Sequence, residues 1–202
     1  MPASHDVHAR TERPRDFLRD PIIETTTIRA PLERCFALST RIELVQRTLG
    51  MRLVDSGVAG GVTRGHITAN SRVVWRGWKF GLLTKHHTLI TTFDPPHEYR
   101  LPPRTDTSDT PITFKAACFV DSQERGRFAS FQHEHNFRQE DGKDTLLLDR
   151  VTFSLPFGPL GRLAAKFIVA PHIRKQARQR FAMIKQLAEG EGWREWLENP
   201  PA

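Results

Sequence analysis

The stretch that decides the fold is Phe128-Ala-Ser-Phe-Gln-His-Glu-His-Asn-Phe137, in which two kinds of side chain alternate strictly. One set is Phe131, His133, His135 and Phe137, and a polar side chain stands between each pair. A β-strand with this period of two turns one face toward the interior and the other toward water. The inward face therefore carries two imidazoles between two phenyl rings, a pattern that predicts the wall of a pocket that receives a ligand.

The segment from Thr145 to Leu155 predicts a second strand that pairs with the first in a hairpin. A three-residue connection with glycine in the left-handed position is typical of such hairpins. It predicts three facing pairs, which are Gln139 with Lys143, His133 with Asp149, and His135 with Leu147. The more apolar faces of the two strands coincide in this register, so we expect His133 and Asp149 to meet inside the domain.

Three interpretations of this histidine–aspartate pair remain open from the sequence. The carboxylate can be the partner that an inward polar group requires, the two side chains can hydrogen-bond to a ligand, or they can act as an acid–base couple. Ser130 falls on the opposite face of its strand and no Gly-x-Ser-x-Gly motif occurs, so no nucleophile is predicted.

No metal and no cofactor are predicted. His133 and His135 could share an ion with His86 or His87 from another strand, but their spacing matches no known metal motif. Of the latter two, His87 shares a face with leucine side chains and is predicted to turn inward, which leaves His86 facing water. No phosphate-binding glycine loop or nucleotide fingerprint is present.

The remaining segments predict an α+β domain with one antiparallel sheet. A strand at 22–28 precedes two short helices, and turn signals separate the strands that follow. Those strands are predicted at 52–56, 63–68, 72–80, 82–93, 117–123, 128–138 and 145–155. Their short connections indicate antiparallel neighbours. The predicted boundaries are a mobile tail at 1–20, the domain at 21–190, an exposed loop inside it at 100–117, and a tail at 191–202.

A long amphipathic helix is predicted near the C-terminus. Its apolar residues recur every three or four positions, at Leu160, Leu163, Phe167, Ala170, Ile173, Ala177, Phe181, Ile184 and Ala188. Pro171 should kink the helix because it lacks the hydrogen-bond donor to Phe167, but the apolar stripe is expected to keep its phase across the kink. A sheet and a helix of this kind would bury one face of each and leave a cavity between them.

The charge and composition of the chain limit the classes of binding partner that are expected for it. The net charge is +7, and the segment 158–188 alone carries seven Lys or Arg residues and no acid. A solvated helix face and a surface that contacts anionic lipid are both consistent with this, whereas no nucleic-acid-binding signature accompanies the charge. The first 20 residues lack the apolar core of a signal peptide, so a cytoplasmic location is expected. Cys35 and Cys118 match no redox or metal spacing and are expected to be buried free thiols.

Four segments resemble bacterial members of the START-like (SRPBCC) superfamily, near its polyketide cyclase/dehydrase and coenzyme Q-binding branches. They are Ile28-Arg-Ala-Pro-Leu-Glu-Arg-Cys-Phe36, Val73-Val-Trp-Arg-Gly-Trp-Lys-Phe-Gly81, the strand Phe128–Phe137 and the run from Thr145 to Leu163 with its Pro-Phe-Gly-Pro-Leu-Gly helix entry. The resemblance spans about residues 22–188. It implies a helix-grip fold, in which a curved antiparallel sheet of about seven strands wraps a long C-terminal helix, with two short helices after the first strand.

The resemblance also implies a function, which is the binding of a lipid, quinone, polyketide or similar hydrophobic molecule between sheet and helix. The cavity-facing positions carried over are Trp75, Lys79, Phe131, His133, His135, Asp149 and Phe153. Lys79 departs from relatives that often have histidine there, and the stretch 100–117 looks inserted. The fold serves carriers and cyclases alike. The sequence therefore favours a carrier, with an aromatase/cyclase-type enzyme that uses His133 and Asp149 as the alternative.

Overall fold

The computed structural model describes residues 21–55, 57–102 and 111–198, so the tail predicted at 1–20 lies outside the described residues. The strands are β1 (Ile22–Ile28), β2 (Arg52–Leu53), β3 (Arg72–Lys79), β4 (Leu82–Leu101), β5 (Ile112–Arg125), β6 (Ser130–Glu140) and β7 (Thr145–Ser154). The helices are α1 (Leu32–Thr40), α2 (Ile42–Leu49), α3 (Gly158–Ala164), α4 (Ala170–Glu189) and α5 (Trp193–Leu197). A π-helical turn, Ala165–Val169, joins α3 to α4.

All seven strands form one antiparallel sheet in the order β1-β7-β6-β5-β4-β3-β2. The register between β4 and β5 shifts at three places, between His87 and Thr88, between Ile90 and Thr92, and between Asp94 and His97. Bulges of this kind bend a strand and increase its twist. They curve the two longest strands of the sheet, and α4 packs against β1, α1 and α2. The predicted curved sheet with its long C-terminal helix is confirmed.

Three details of the strand prediction are wrong. Pro95 and Pro96 do not end β4, because they fall at a bulge where the ladder needs no backbone donor, and the strand continues to Leu101. Residues 112–117 belong to β5 and not to a loop, which shortens the loop predicted at 100–117, while 103–110 lie outside the described residues. The segment 63–68 forms no strand, and only His66 makes an isolated bridge, with Arg41.

The C-terminal helix changes phase at its π-helical turn, which corrects the single continuous stripe predicted for it. Pro171 stands in the first turn of α4, and the π-helical turn lies immediately before it. A π-turn takes up one extra residue, so the side chains before it rotate relative to those after it. Leu160, Leu163 and Phe167 are consequently exposed to 76%, 58% and 65%, whereas the α4 positions of the stripe remain buried or half-buried.

The C-terminal end packs on the domain and is not a free tail as far as Glu198. Trp196 of α5 is buried, and the guanidinium of Arg47 lies 4.5 Å from its ring centroid. Trp193 is covered in the same way by Arg34, at 4.2 Å. Such cation–π contacts each contribute about 0.5–1 kcal/mol at partly exposed sites. The tail predicted at 191–202 is therefore part of the domain over its described portion.

The buried apolar residues fall into two clusters with a space between them. The larger cluster joins α1, α2 and the second half of α4 to the middle of the sheet, with Phe36 packed edge-on against Phe119 and Phe137. The smaller cluster joins Val151 and Phe153 of β7 to the π-helical turn. The cavity described next lies where neither cluster fills the interior.

Candidate functional site: a cavity between the sheet and α4

A cavity of about 350 Å³ lies between the inner face of the sheet and the C-terminal helix. Its walls are mostly apolar and include Ile42, Met51, Trp75, Ile90, Phe119 and Ile173. The volume falls within the range of roughly 300–1,000 Å³ that is typical of small-molecule sites. Asp121, His133 and His135 lie close together in this wall, so the cavity has the composition of a site for an apolar guest with a polar group.

Five of the seven residues predicted to face the cavity line it, namely Trp75, Lys79, Phe131, His133 and His135. Asp149 and Phe153 do not. Phe153 is fully buried behind the wall, where its ring packs edge-on against Phe128 at 5.5 Å between centroids. Asp149 is 2% exposed and lies behind the two histidines.

Lys79 has a structural partner at the cavity wall. Its Nζ donates a 2.6 Å hydrogen bond to the carbonyl oxygen of Leu49, the last residue of α2, and lies 3.4 Å from Nε2 of His172. Helix C-termini leave carbonyl groups without intrahelical donors. Lys79 therefore satisfies the end of α2 with the same ammonium that the sequence had assigned to a ligand. Burial lowers the pKa of this ammonium.

The hairpin register differs from the predicted one by two residues. Residues 141–144 connect β6 to β7, in place of the connection 140–142 implied by the predicted pairing of Gln139 with Lys143. His135 consequently pairs with Asp149, and His133 pairs with Val151. A shift of two residues preserves the faces, because side chains in a strand alternate with a period of two. His133, His135 and Asp149 thus share the inner face as predicted, and Nε2 of His133 still lies 3.3 Å from Oδ2 of Asp149 on the diagonal.

Both imidazoles lie between the same two carboxylates. Nδ1 of His135 is 2.9 Å from Oδ1 of Asp149, and its Nε2 is 3.1 Å from Oδ2 of Asp121 on β5. His133 is placed similarly, with Nδ1 3.8 Å from Oδ2 of Asp121 and Nε2 near Asp149. The ring centroids of the two histidines are 3.8 Å apart. We name these four residues the His–Asp cluster.

Arg180 of α4 closes the cluster from the helix side. One of its terminal nitrogens, Nη1, donates to both carboxylate oxygens of Asp149, at 2.9 and 2.7 Å. Its other terminal nitrogen, Nη2, is buried without a hydrogen-bond partner among the described residues, whereas Nε2 of His133 has the 3.3 Å contact with Asp149. Arg180 and His133 both belong to the cavity wall. A buried polar atom without a partner costs free energy, so Nη2 of Arg180 is available to a guest.

The charges of the cluster keep its carboxylates ionised. Burial alone would raise the pKa of Asp149, but Arg180 and the two imidazoles outweigh burial and hold this pKa well below its usual range. Burial likewise opposes ionisation of Asp121, yet the hydrogen bond from His135 and the charges of the nearby histidines lower its pKa. Burial, with the charge of His135, lowers the pKa of His133. A neutral His133 therefore faces a cavity whose polar part carries fixed charges.

Solved structures of other proteins share this architecture. A START superfamily protein from Mycobacterium smegmatis superposes with a TM-score of 0.53 and 10% identity, over 83% of this chain and 98% of that one. The KanY protein gives a TM-score of 0.53 with 11% identity, over 85% and 98%. TTHA0849 from Thermus thermophilus gives 0.51 with 14% identity, over 83% and 95%. No family model matches the sequence, and no curated protein sequence matches it significantly.

The chain has the START-like, helix-grip fold. Because the sequence identities are only 10–14%, the similarity to these proteins concerns the fold alone. The cavity of this START-like domain occupies the position that the sequence analysis anticipated, between the curved sheet and the C-terminal helix.

Two residues of the site were not predicted from the sequence, and the inward and outward faces of β4 were predicted the wrong way round. Asp121 and Arg180 are not among the residues predicted to face the cavity, although the pairing of β5 with β6 sets Asp121 opposite His133. On β4, His86 lines the cavity, whereas His87 belongs to a separate concavity on the outer face of the sheet. The inward residues beside His86 are Thr84 and Thr88. The more apolar face of β4, which was predicted to turn inward, therefore lies on the outer side of the sheet at this point.

Exposed apolar side chains occur at the edge of the cavity and on the segment that joins two residues of its wall, Leu155 and Val169. Phe80 and Leu82, at the tip of the β3–β4 hairpin, line it while about half exposed, and the Phe80 ring packs edge-on against His172 of α4 at 5.0 Å. The segment from Phe157, the residue before α3, to the π-helical turn adds Phe157 at 85% exposure, together with Leu160, Leu163, Phe167 and Ile168. We name this set, with Phe80 and Leu82, the apolar rim. No helix in the described part of the chain is long and apolar enough to cross a bilayer.

The basic charges of the C-terminal helix divide into two groups. In α4, Arg178 makes a bidentate pair with Glu24 at 2.8 and 3.0 Å, and Arg174 lies 3.9 Å from the same carboxylate. Within the apolar rim, Arg162 and Lys166 are exposed, and Nζ of Lys166 lies 5.4 Å from the Phe167 ring centroid. Glu24 therefore offsets part of the positive charge of α4, whereas Arg162, Lys166 and Lys175 pair with no carboxylate among the described residues.

Proposed function

We propose that this START-like domain binds and carries one hydrophobic small molecule, of lipid, quinone or polyketide-like chemistry, in the cavity between sheet and helix. The observation that carries the proposal is the cavity of about 350 Å³ with mostly apolar walls and one buried polar nitrogen, Nη2 of Arg180, that has no partner among the described residues. A cavity that results only from imperfect packing would have apolar walls, because empty cavities in proteins are apolar. A buried guanidinium nitrogen in the wall therefore indicates a ligand.

Nη2 of Arg180 also indicates which chemical group the guest presents to this part of the wall. Nη2 of Arg180 can only donate a hydrogen bond, and a buried donor without an acceptor is costly. A carbonyl, carboxylate or phenolate oxygen on the guest would satisfy it, while the apolar body of the guest would contact Trp75, Phe119 and Ile173. The proposed guest is therefore an apolar molecule with one oxygen-bearing end.

An amphipathic fluorescent anion, 1-anilinonaphthalene-8-sulfonate, tests the proposal in solution. Ala177 is a buried α4 residue of the cavity wall, so Ala177→Phe should place a ring inside the cavity and weaken the probe about tenfold or more. Ala182→Phe is the matched control, because Ala182 is an exposed residue of the same helix. Saturable binding that Ala177→Phe weakens and Ala182→Phe leaves unchanged supports the proposal. Equal binding by all three proteins refutes it.

The alternative function, an aromatase/cyclase-type enzyme, is supported by one contact. His133 and Asp149 approach to 3.3 Å at the cavity wall, which is the pairing such an acid–base couple requires. We favour carriage because both oxygens of Asp149 are already bound by Arg180. Cyclisation of a polyketone by the purified protein that is lost in His133→Ala would establish the enzyme instead.

We further propose that the guest enters and leaves through the apolar rim while the rim contacts an anionic bilayer surface. Exposed aromatic and aliphatic side chains with interspersed Arg162 and Lys166 match the pattern of interfacial membrane contact. A guest that passes directly between bilayer and cavity would avoid exposure to water. This places the membrane contact at α3 and the π-helical turn, and not along the α4 face that Glu24 neutralises.

Co-sedimentation with phosphatidylserine-containing vesicles tests the membrane contact. Each basic residue near such a surface contributes about 1 kcal/mol, so the double variant Arg162→Gln and Lys166→Gln should bind roughly 30-fold more weakly. Phe157→Ser should weaken binding to the same vesicles, and Ile23→Ser is its control because Ile23 is an exposed apolar residue of β1, 52% exposed. Binding that neither rim variant reduces would contradict the proposal.

A further inference from the structure

We propose that Asp121, His133 and His135 form a binding site for one divalent transition-metal ion, Zn²⁺ or an ion of similar size, in the wall of the cavity. The proposal rests on the geometry of the His–Asp cluster and does not depend on the guest of the cavity. Each of the three residues offers one ligand atom, and the three atoms lie within 4.8 Å of one another.

The distances between these atoms suit one central ion. Bonds of about 2.0–2.2 Å at angles of 90–109° place neighbouring ligand atoms roughly 2.9–3.6 Å apart. Nε2 of His135 and Nδ1 of His133 lie 3.1 and 3.8 Å from Oδ2 of Asp121. These two distances are close to that range, and no two of the three ligand atoms are more than 4.8 Å apart, so rotation of the side chains by about an ångström or less would bring all three atoms to bonding distance. The ligands come from two adjacent strands, β5 and β6, where Asp121 and His133 are directly paired.

The carboxylate of Asp149 supplies what metal-binding histidines usually have on their other side. Such histidines commonly direct the second ring nitrogen to a carboxylate, which fixes the ring and its tautomer. Asp149 lies 2.9 Å from Nδ1 of His135 and 3.3 Å from Nε2 of His133, so one carboxylate serves both rings. Arg180 holds that carboxylate in place through both oxygens. Asp149 is thus a positioning residue in this proposal, and Asp121 is the carboxylate ligand.

The ligand set indicates the class of ion. Two imidazoles and one carboxylate suit Zn²⁺ and neighbouring first-row ions better than Mg²⁺ or Ca²⁺, which prefer oxygen ligands. Without the ion, Nε2 of His135 donates to Asp121. With the ion bound, the metal takes the place of that proton, which leaves to solvent. Three protein ligands would leave a coordination position for an oxygen atom of the cavity's guest.

Titration of the chelator-treated, untagged full chain with Co²⁺, followed by the visible absorption of bound Co²⁺, tests the site. We expect one equivalent to bind to the wild type. Asp121→Asn and His133→Gln each remove a ligand and should abolish that absorption, whereas Asp149→Asn should weaken binding about 10–100-fold because it alters a supporting partner. His97→Ala is the matched control, because His97 is an exposed histidine of β4.

The possible results of the Co²⁺ titration distinguish a metal site at these three residues from the absence of one. Loss of Co²⁺ absorption in Asp121→Asn or His133→Gln, with full binding in His97→Ala, supports the site, and two ligand variants are used in case one fails to fold. No saturable binding by the wild type overturns the proposal, and so does binding that both ligand variants retain. 1-Anilinonaphthalene-8-sulfonate binding measured on the same samples reports on the cavity separately. Failure of the metal site would therefore leave the carrier proposal standing, and the reverse is also true.

Discussion

Arg180→Met should destabilise the domain more than any comparable change on the exposed side of α4. Arg180 is 7% exposed and binds both oxygens of Asp149, which is itself 2% exposed. Methionine keeps the apolar stem and removes the charge. The carboxylate then stays buried with only the two imidazoles beside it, while its cost of leaving water is unchanged.

The magnitude follows from the burial of both partners. Removing one partner of a buried ion pair costs about 3–5 kcal/mol. Because His135 still donates to Asp149 at 2.9 Å, we expect a loss near the lower end, about 3 kcal/mol. A domain of this size changes its melting temperature by roughly 2–4 °C for each kcal/mol. The expected decrease is therefore about 6–12 °C.

Thermal and urea unfolding, followed by circular dichroism, measure this loss. Arg178→Met is the matched control, because Arg178 is two residues away, its side chain is 69% exposed, and it pairs with Glu24. An exposed pair of this kind contributes about 0–1 kcal/mol. In the double variant of Arg180→Met with Asp149→Asn, part of the stability should return. A loss in Arg180→Met below about 1 kcal/mol, equal to that of Arg178→Met, would refute the reasoning.

Three further predictions concern packing and buried polar groups. Gly161→Ala should destabilise the domain by several kcal/mol in thermal unfolding, because an added Cβ would stand 2.0 Å from the backbone oxygen of Pro156. Thr145→Val should cost about 0.5–1.5 kcal/mol in urea unfolding, because its buried hydroxyl donates a 2.7 Å hydrogen bond to the carbonyl of Ala30, which would keep only the longer 3.4 Å bond from the Gln139 amide. Burial raises the pKa of the Cys35 thiol to about 12, so this thiol should resist a disulfide reagent at pH 8 until urea unfolds the chain.

The sequence was sufficient for the sheet and the main helix because their periodicities are strong. Alternation at Phe131, His133 and His135 fixed which face of β6 turns inward, and this face survives a register error of two residues because the period is two. Turn geometry alone did not locate the hairpin loop to the residue. The position of Asp149 opposite His135 therefore required the structure.

Other parts of the site could not be predicted because they contradict the rule that charged residues face water. Arg180 lies on a helix with six other basic residues between 158 and 188, and only its contact with Asp149 distinguishes it. Asp121 joins the cluster through long-range pairing of β5 with β6. On β4, the threonines beside His86 face the cavity, whereas the more hydrophobic face of the strand, which was predicted to be the inner one, lies on the opposite side of the sheet. Charge compensation across elements has no periodic signal in a single sequence.

The phase change in the C-terminal helix has a different origin. The spacing of Leu163, Phe167 and Ala170 fits an uninterrupted α-helix, but a π-helical turn adds one residue where Pro171 interrupts the hydrogen-bond pattern. The apolar residues before the turn consequently face outward and form most of the apolar rim. Their exposure, which the sequence pattern concealed, supports the membrane contact proposed above.

Native mass spectrometry of the freshly purified chain tests the central claim most directly. A START-like domain that carries a hydrophobic guest should show the mass of the chain plus one small molecule, either as isolated or after incubation with vesicles of a cellular lipid extract. Ala177→Phe should lose that added mass, and Ala182→Phe should keep it. Bare-chain masses for the wild type under both conditions, or an adduct that Ala177→Phe retains, would contradict the account.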